Sequence, residues 1–430
     1  MNTKHAHRRW LVAAVLGLTV TATAGCDVHK LLQVDPVDRV PAEGLTTPAN
    51  AELLVNGAIA DFSCAYGAYV ALSGVVAGEL TDATQTAARW PADRRDFSQE
   101  SYQAQYATYG CTGLGVYIPL STARWSAENI LNALQGWTDA DLSDYGFDRQ
   151  DLIAQAALYA GYTYVVMGEG FCSMAIDLSA EMTPAQVLAL AVERFTTAIT
   201  AAQSAGNTPV LNAARVGLAR ASLDLGQAAN ALAAAQQVPA GFDFEIETSG
   251  DFSVRNNRVF AQNGEPPLGG TALSVGEAYW HYLHYGEADP RVAVSDSIRI
   301  NSDGTPLYYQ HKYMALDDPL RLASYDEAQL IIAEIQGGTT AEGIIDAFHT
   351  AAGLSAVDWT GATAQDILDH VVEERRAVLW LEGRRLYDIN RFNLTMEPAA
   401  GTPYRKGLTY SDYRCFPLPD VEIRNNPNIS

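Results

Sequence analysis

The chain has 430 residues, 48% of them hydrophobic and 18% charged, with 28 basic against 50 acidic side chains and a formal net charge of −22. That length exceeds one small domain and suits one large helical domain with insertions. So acidic a surface repels nucleic acid and anionic lipid, which excludes nucleic-acid binding as a function.

Residues 1–25 carry His5, His7, Arg8 and Arg9, an apolar run from Trp10 to about Val20, and small residues up to Gly25, directly before Cys26. A basic start, a short apolar core and a small-residue end predict a cleaved signal peptide, because the apolar run is too short for a bilayer of about 30 Å. Small residues before a cysteine resemble the bacterial lipobox, so Cys26 is expected to be lipidated and to become the mature N-terminus. Three of the 28 basic residues and none of the 50 acidic ones lie in 1–25, which leaves the mature chain at −25. No later stretch reads as a membrane span, so the lipid is the expected membrane attachment.

Beyond Cys26 stand Cys64, Cys111, Cys172 and Cys415. An even count in an exported chain predicts disulfides, with three pairings open, and the absence of CxxC or CxxH spacing argues against zinc held by these cysteines. A turn-rich leader from Val34 gives way to helical spacing over Ala49–Asp61. Residues 63–126 are aromatic among small and polar residues. Tyr102, Tyr106 and Tyr109 fall on one helical stripe that reads as core, whereas Trp90, before Pro91 and between charges, reads as a loop residue available to a ligand.

From about 125 to 237 the chain is alanine-rich, with helices expected over Asp151–Met167, from Thr183-Pro184 to Ala205 with a stop at Gly206-Asn207, over Leu211–Leu225, and after Gly226 over Gln227–Val238. Small residues at Ala219, Ala228 and Ala231 suggest closely packed pairs of the tetratricopeptide kind. The regularity is lost over 239–320, where Gly-Pro and Asp-Gly steps predict loops, short strands and helices; Trp280, Tyr282 and Tyr285 make this the second place for exposed aromatic faces. Helices are expected again over Arg321–Glu334 and Ala341–Ala352. In the stretch from Leu368 to Arg391, Val372, Leu379 and Leu386 repeat every seven residues, with Leu368 four before Val372, as on one apolar helix face. There Glu382 with Arg385 and Asp388 with Arg384 have ion-pair spacing. Gly383 marks either a close approach or the boundary between two helices.

The string Glu374-Arg375-Arg376, Glu382-Gly383, Arg385, Asp388, Arg391, followed by Phe416-Pro417-Leu418-Pro419, Glu422-Ile423 and Asn426-Pro427-Asn428, resembles the C-terminal signature of the SusD/RagB family. Asn56-Gly57-Ala58 and Asp289-Pro290-Arg291 are similar to steps found earlier in that family; Val378, where a glutamate is usual, departs from it. The resemblance implies a mainly α fold, with a tetratricopeptide-like scaffold over about 26–238 and 321–430 and an irregular, partly β insertion over about 239–320, forming one domain from residue 26 to 430. It also implies a lipid-anchored, surface-exposed outer-membrane protein that binds a nutrient, usually a glycan or oligosaccharide, and passes it to a SusC-like TonB-dependent transporter. The motif residues look structural and are assigned to no site.

Trp90, Trp280, Tyr282 and Tyr285 are therefore the ligand-binding candidates, since sugar rings pack their C–H faces on indole and phenol. His281, His284 and Glu287 recur every three residues, but the spacing is not HExxH and the surrounding tyrosines suit packing or sugar contact, so no metal and no cofactor is assigned. No GxSxG, P-loop or GxGxxG is present and no catalytic residue is named. Two other readings stay open: a helical-repeat lipoprotein scaffold for protein assembly, favoured by a flat surface without aromatics, and a lipid-anchored glycan-active enzyme, favoured by two close carboxylates in a cleft.

Overall fold

The computed structural model describes residues 42–429; the signal segment and Cys26 lie outside the described residues. The segment up to Thr47 is described only at its end, with a short helix over Ala42–Leu45, and residues from Pro48 onward form a compact unit. That unit is mainly helical, with four two-stranded ribbons among the described residues.

Its centre is α1, Ala51–Val76, whose second half is buried on every side from Ala65 to Val76. The expected helix over Ala49–Asp61 therefore runs fifteen residues further than its polar-apolar spacing, because a helix enclosed all round has no polar face to announce it. Contrary to the expectation that no later stretch is long and apolar enough to cross a membrane, the helix over Pro48–Val76 meets that criterion by length and composition; 78% of its most apolar window is buried in the fold. Around it pack α2 (Tyr117–Gly136) and α3 (Arg149–Gly170), and α4 (Pro184–Ala205), α5 (Thr208–Asp224) and α6 (Ala228–Ala235) follow as antiparallel neighbours.

The caps are local chemistry. Thr183 and Gln186 form a reciprocal capping box at the start of α4, and Gly206 closes it at φ 72°. Close packing comes from glycine more than from the expected alanines. A Cβ on Gly161 of α3 would lie 2.8 Å, and one on Gly217 of α5 2.3 Å, from the ring of Phe195, so these two positions form the notch that receives it. Ala219 and Ala231 are buried, while Ala228 is exposed at the end of α6 and does not serve helix approach.

The irregular insertion begins and ends on one ribbon: β2, Asp243–Ile246, pairs antiparallel with β8, Leu320–Ser324. This corrects the helix expected to start at Arg321. Helix α7 (Tyr325–Gln336) starts only at Tyr325, capped by Ser324, whose hydroxyl accepts from the Glu327 amide. Within the insertion β4 (Leu283–His284) pairs with β5 (Glu287–Ala288), and β6 (Val294–Ile300) with β7 (Pro306–Gln310). Leu273–Val275, β3, crosses to β1 (Leu80–Asp82) just after α1 and ties the insertion to the helices.

Buried amides complete what these short ribbons leave unpaired. The Asn263 Nδ2 donates to Leu273 O and Tyr308 O, both at 2.9 Å, and its Oδ1 accepts from the Gln310 amide at 3.0 Å. Gln310 Nε2 in turn donates to Asn263 O and Tyr313 O. Each closes a backbone group that a longer sheet would have paired.

Helices α8 (Gly338–Ala352), α9 (Ala364–Val378) and α10 (Arg385–Arg391) lead to the chain end. The seven-residue apolar repeat does not form one long helix: the chain turns over Leu379–Arg384, with Gly383 at φ 74° against Tyr69. Consequently the expected surface ion pairs do not form. Glu382 faces inward to Lys312 at 2.6 Å, and Asp388 accepts two bonds from Arg375 Nε and one from its Nη2 at 2.8 Å. Arg384 turns instead to Glu327, and Arg391 to Glu334 at 2.9 Å. Val378 is buried against Leu330 and Leu379, so an apolar contact stands where the charge would be.

The disulfides are Cys64–Cys111 and Cys172–Cys415. The second staples the chain end to the exit of α3, where Phe416 N donates to Gly170 O and Cys172 N to Phe416 O, both at 2.9 Å. Phe416 is buried among Phe97, Tyr106 and Phe171. Of the expected tyrosine stripe only Tyr106 is core; the helix ends at Ala107 and leaves Tyr109 exposed beyond it.

Candidate ligand-binding site

Four segments converge on a cavity of about 320 Å³: the exit of α1 with β1, the short helix Trp90–Asp93, residues 276–280 of the insertion, and the loop 397–410. Trp280, Tyr404 and Tyr410 supply aromatic wall, and Glu277, Glu397 and Arg405 stand exposed at its edge. Trp280 is held firmly. Its Nε1 donates to Val275 O at 2.7 Å and its ring stacks on Tyr308 at 4.3 Å with planes 8° apart. An indole fixed on one side by a phenol and facing a cavity loses little freedom when it meets a ligand.

A largely buried charged frame lines the cavity beside these aromatics. Lys406 Nζ sits between Asp82 Oδ1 at 2.7 Å and Asp303 Oδ2 at 2.8 Å, and also donates to Asp82 O. Arg89 Nε reaches Asp82 Oδ2 at 2.7 Å. Asp93 accepts from Thr81, from the Asp82 amide and from the Tyr404 hydroxyl at 2.9 Å. Burial, with the Asp82 charge beside it, pushes the Asp93 carboxyl up to about 6. Both carboxylates are at most 3% exposed and their oxygens are committed to these partners. This close carboxylate pair therefore braces the wall, and its arrangement gives no free oxygen to a substrate.

The four sequence candidates separate here. Trp280 lines the cavity. Trp90 opens a short helix and not the expected loop; it is half-buried, donates from Nε1 to Thr84 O at 3.0 Å, and lies 5.8 Å from Lys406 Nζ, so it supports the frame from behind. Tyr282 is buried beneath Tyr279 and Arg376 with its hydroxyl on Glu373 at 2.6 Å, and has no open face. Tyr285 is 53% exposed but belongs to another place, stacked on His370 at 4.0 Å. His281, His284 and Glu287 do not share a helix side: His284 and Glu287 sit opposite each other on the β4–β5 hairpin, where only His284 points inward, to His349 and Glu374.

Sequence reasoning passed over Tyr404, Lys406 and Tyr410. Their signal was the run Tyr404-Arg405-Lys406-Gly407-Leu408-Thr409-Tyr410, aromatic and basic residues around a turn, which carries no periodicity. A second concave surface, of about 420 Å³, lies on α2 beside Trp125, an indole 56% exposed and flanked by Ile118 and by Arg124, which binds Asp177 through two bonds at 2.6 and 2.8 Å.

No family model and no curated protein matches the sequence. Among solved structures, the chain is similar to a SusD superfamily protein from Bacteroides vulgatus, with a TM-score of 0.68 and 17% identity over 89% of this chain and 98% of that one. It is similar also to the surface glycan-binding protein A of Bacteroides thetaiotaomicron in complex with laminarihexaose, at TM-score 0.65 and 14% identity over 88% and 97%. A laminarin-binding SusD-like protein superposes at TM-score 0.61 and 15% identity over 87% and 98%. The chain thus has the SusD-like fold, mainly helical with few short strands.

Proposed function

We propose that this chain is a non-catalytic glycan-binding protein of the SusD kind, held at the outer surface of the outer membrane by a lipid on Cys26. There it would pass its ligand to a SusC-like TonB-dependent transporter. The observation that carries the binding half is the placement of Trp280 in the wall of a cavity with Tyr404, Tyr410 and exposed charged groups at the edge. Aromatic faces stack on the apolar side of a pyranose while the edge groups meet its hydroxyls. The names of two structural neighbours, one binding laminarin and one holding laminarihexaose, make β-glucan oligosaccharides the first ligands to try. Anchor, location and transporter rest on the signal segment and on the family resemblance alone.

The scaffold reading is favoured by a flat surface without exposed aromatics, and the cavity and the exposed Trp125 weigh against it. The enzyme reading is favoured by two close carboxylates in a cleft; Asp82 and Asp93 are such a pair, but their oxygens are engaged by Arg89, Lys406, Thr81 and Tyr404, which weighs against it. Calorimetry with a panel of neutral oligosaccharides on the lipid-free chain tests the proposal. Trp280→Ala is expected to weaken binding at least 10-fold, about 1.4 kcal/mol or more, with Trp125→Ala as control. Equal affinity in Trp280→Ala moves the site away from this cavity, and shortened oligosaccharides after incubation make the chain an enzyme.

A further inference from the structure

Away from that cavity, three side chains from three separate segments converge on one point. His284 comes from β4, His349 from the last turn of α8, and Glu374 from α9, and all three are buried. His284 Nε2 lies 3.0 Å from His349 Nε2 and 2.9 Å from Glu374 Oε2, and His349 Nε2 lies 3.3 Å from the same oxygen. Ligand atoms about 2.0–2.1 Å from a tetrahedral zinc are roughly 3.3 Å apart, so these three form a slightly tight face of such a tetrahedron.

The outer hydrogen bonds decide what the inner atoms offer. His349 Nδ1 lies 2.8 Å from Ser355 O, a carbonyl that only accepts, so Nδ1 carries the proton. The single hydroxyl proton of Tyr282 is directed at Glu373, at 2.6 Å, which leaves its oxygen to accept from His284 Nδ1 at 3.3 Å. With one proton on each ring, an unprotonated Nε2 faces the other ring and a carboxylate oxygen. Three electron-rich atoms within 3.3 Å repel unless a cation lies among them. Charge points the same way: Glu374 and Asp289 share one arginine, Arg291, which bonds both, so beside neutral imidazoles one negative charge in this buried group is uncompensated.

We propose that His284, His349 and Glu374 bind one divalent transition-metal ion, zinc foremost, as two imidazoles and one carboxylate. The set matches the ligands that zinc and ferrous iron accept, and the Nδ1 partners orient each imidazole as the outer hydrogen bonds of metal-bound histidines do. A cavity of about 230 Å³ bordered by both histidines, Tyr285 and His370 leaves room for a water as further ligand. Bound there, the ion pins the β4–β5 hairpin of the insertion to α8 and α9. Glu287 lies in the surround, where its Oε2 accepts from the Ser355 amide at 3.0 Å.

The test uses the purified chain, stripped with a chelator and titrated with zinc chloride against a chromogenic competitor. Expected is one tightly held zinc per chain by elemental analysis after gel filtration, with affinity falling about 100-fold or more in His284→Ala and His349→Ala, the upper end of what even outer-shell changes cost. His281→Ala and His311→Ala, both outside the cluster, should bind as the parent does. X-ray absorption on the loaded parent should show two imidazoles and an oxygen, a readout that stands even where a variant fails to fold. A parent chain that keeps no zinc overturns the proposal and leaves the cluster sharing a proton; so does a parent spectrum without paired imidazoles, or undiminished binding in both cluster variants.

Discussion

The helical half and the insertion hold themselves together by different means. Between α3, α4 and α5 the chain uses shape: a phenyl ring seated against two glycines, over a core of alanine and leucine. Between β2 and β8 shape is scarce, ribbons of two strands leave backbone groups over, and side-chain amides close them. The lesson is that a region without regular pairing can still be well fixed, provided its irregular backbone is satisfied group by group. It also explains why Trp280 can serve as a rigid wall although it lies outside any helix or strand.

The contrast can be broken first at its apolar side. Phe195→Ala removes a fully buried ring from its notch and should cost about 3–5 kcal/mol, read as a lowered urea midpoint with unchanged slope. An Ala-sized loss there should leave the insertion's own packing unaltered, which amide exchange at Leu273 and Tyr308 would register.

On the polar side, Asn263→Ala strips partners from Leu273 O, Tyr308 O and the Gln310 amide at once. We expect a loss of about 2–4 kcal/mol, from unsatisfied groups costing about 1–3 kcal/mol each with partial relief by water. Asn263→Leu, close in volume, should be no better; if it restores stability, the amide acts as a filler and the contrast fails.

A third variant examines the seam between the two regions. Glu79, at the exit of α1, is buried, and burial pushes its carboxyl up to about 7, against the relief given by the Leu381 amide. Because this folded value lies above the unfolded one, the native state holds an extra proton between about pH 4.5 and 7, and the associated stability is present below that window and lost as pH rises through it. Glu79→Gln should flatten the fall in stability between pH 5 and 8 by on the order of 3 kcal/mol. An unchanged slope would show that the carboxylate finds water or a cation in solution.

The smallest effect is expected on the rim of the insertion. Ile298 in β6 is 92% exposed and adopts φ 58°, a conformation that a β-branched residue avoids. Ile298→Gly should therefore leave stability unchanged or raise it by up to about 1 kcal/mol in thermal melts, where the same exchange inside α3 would destabilise.

These same regions explain what was legible in the sequence. Thr183, Pro184 and Gly206 announced both ends of α4 because capping is local, and the loss of pattern after Val238 marked the insertion. The second half of α1 was illegible, since period needs a polar face and Ser63–Val76 has almost none. Glu382 and Asp388 were given the wrong partners because the three- and four-residue rule presumes an unbroken, exposed helix, and both carboxylates turn inward around Gly383. Residues 321–324 read as helix because their strand partner lies some seventy-five residues upstream. The histidine cluster was hidden for a similar reason: 65 residues separate His284 from His349, and spacing rules look only along one element. Trp280, which lines the cavity, was singled out by its aromatic surroundings, while Tyr404 and Tyr410 arrive from a loop that only the fold brings there.

The pairing of β2 with β8 has one more consequence, for how such a protein diversifies. Residues 243 and 324 are neighbours in space, so everything between them leaves the scaffold and returns to the same doorstep. Doubling the length of a segment whose ends are already joined costs only about 0.6 kcal/mol in closure entropy. A lineage can thus lengthen, shorten or replace the intervening chain and keep its helices, provided a strand still meets Leu80–Asp82. What one descendant recognises need not constrain what the next one does.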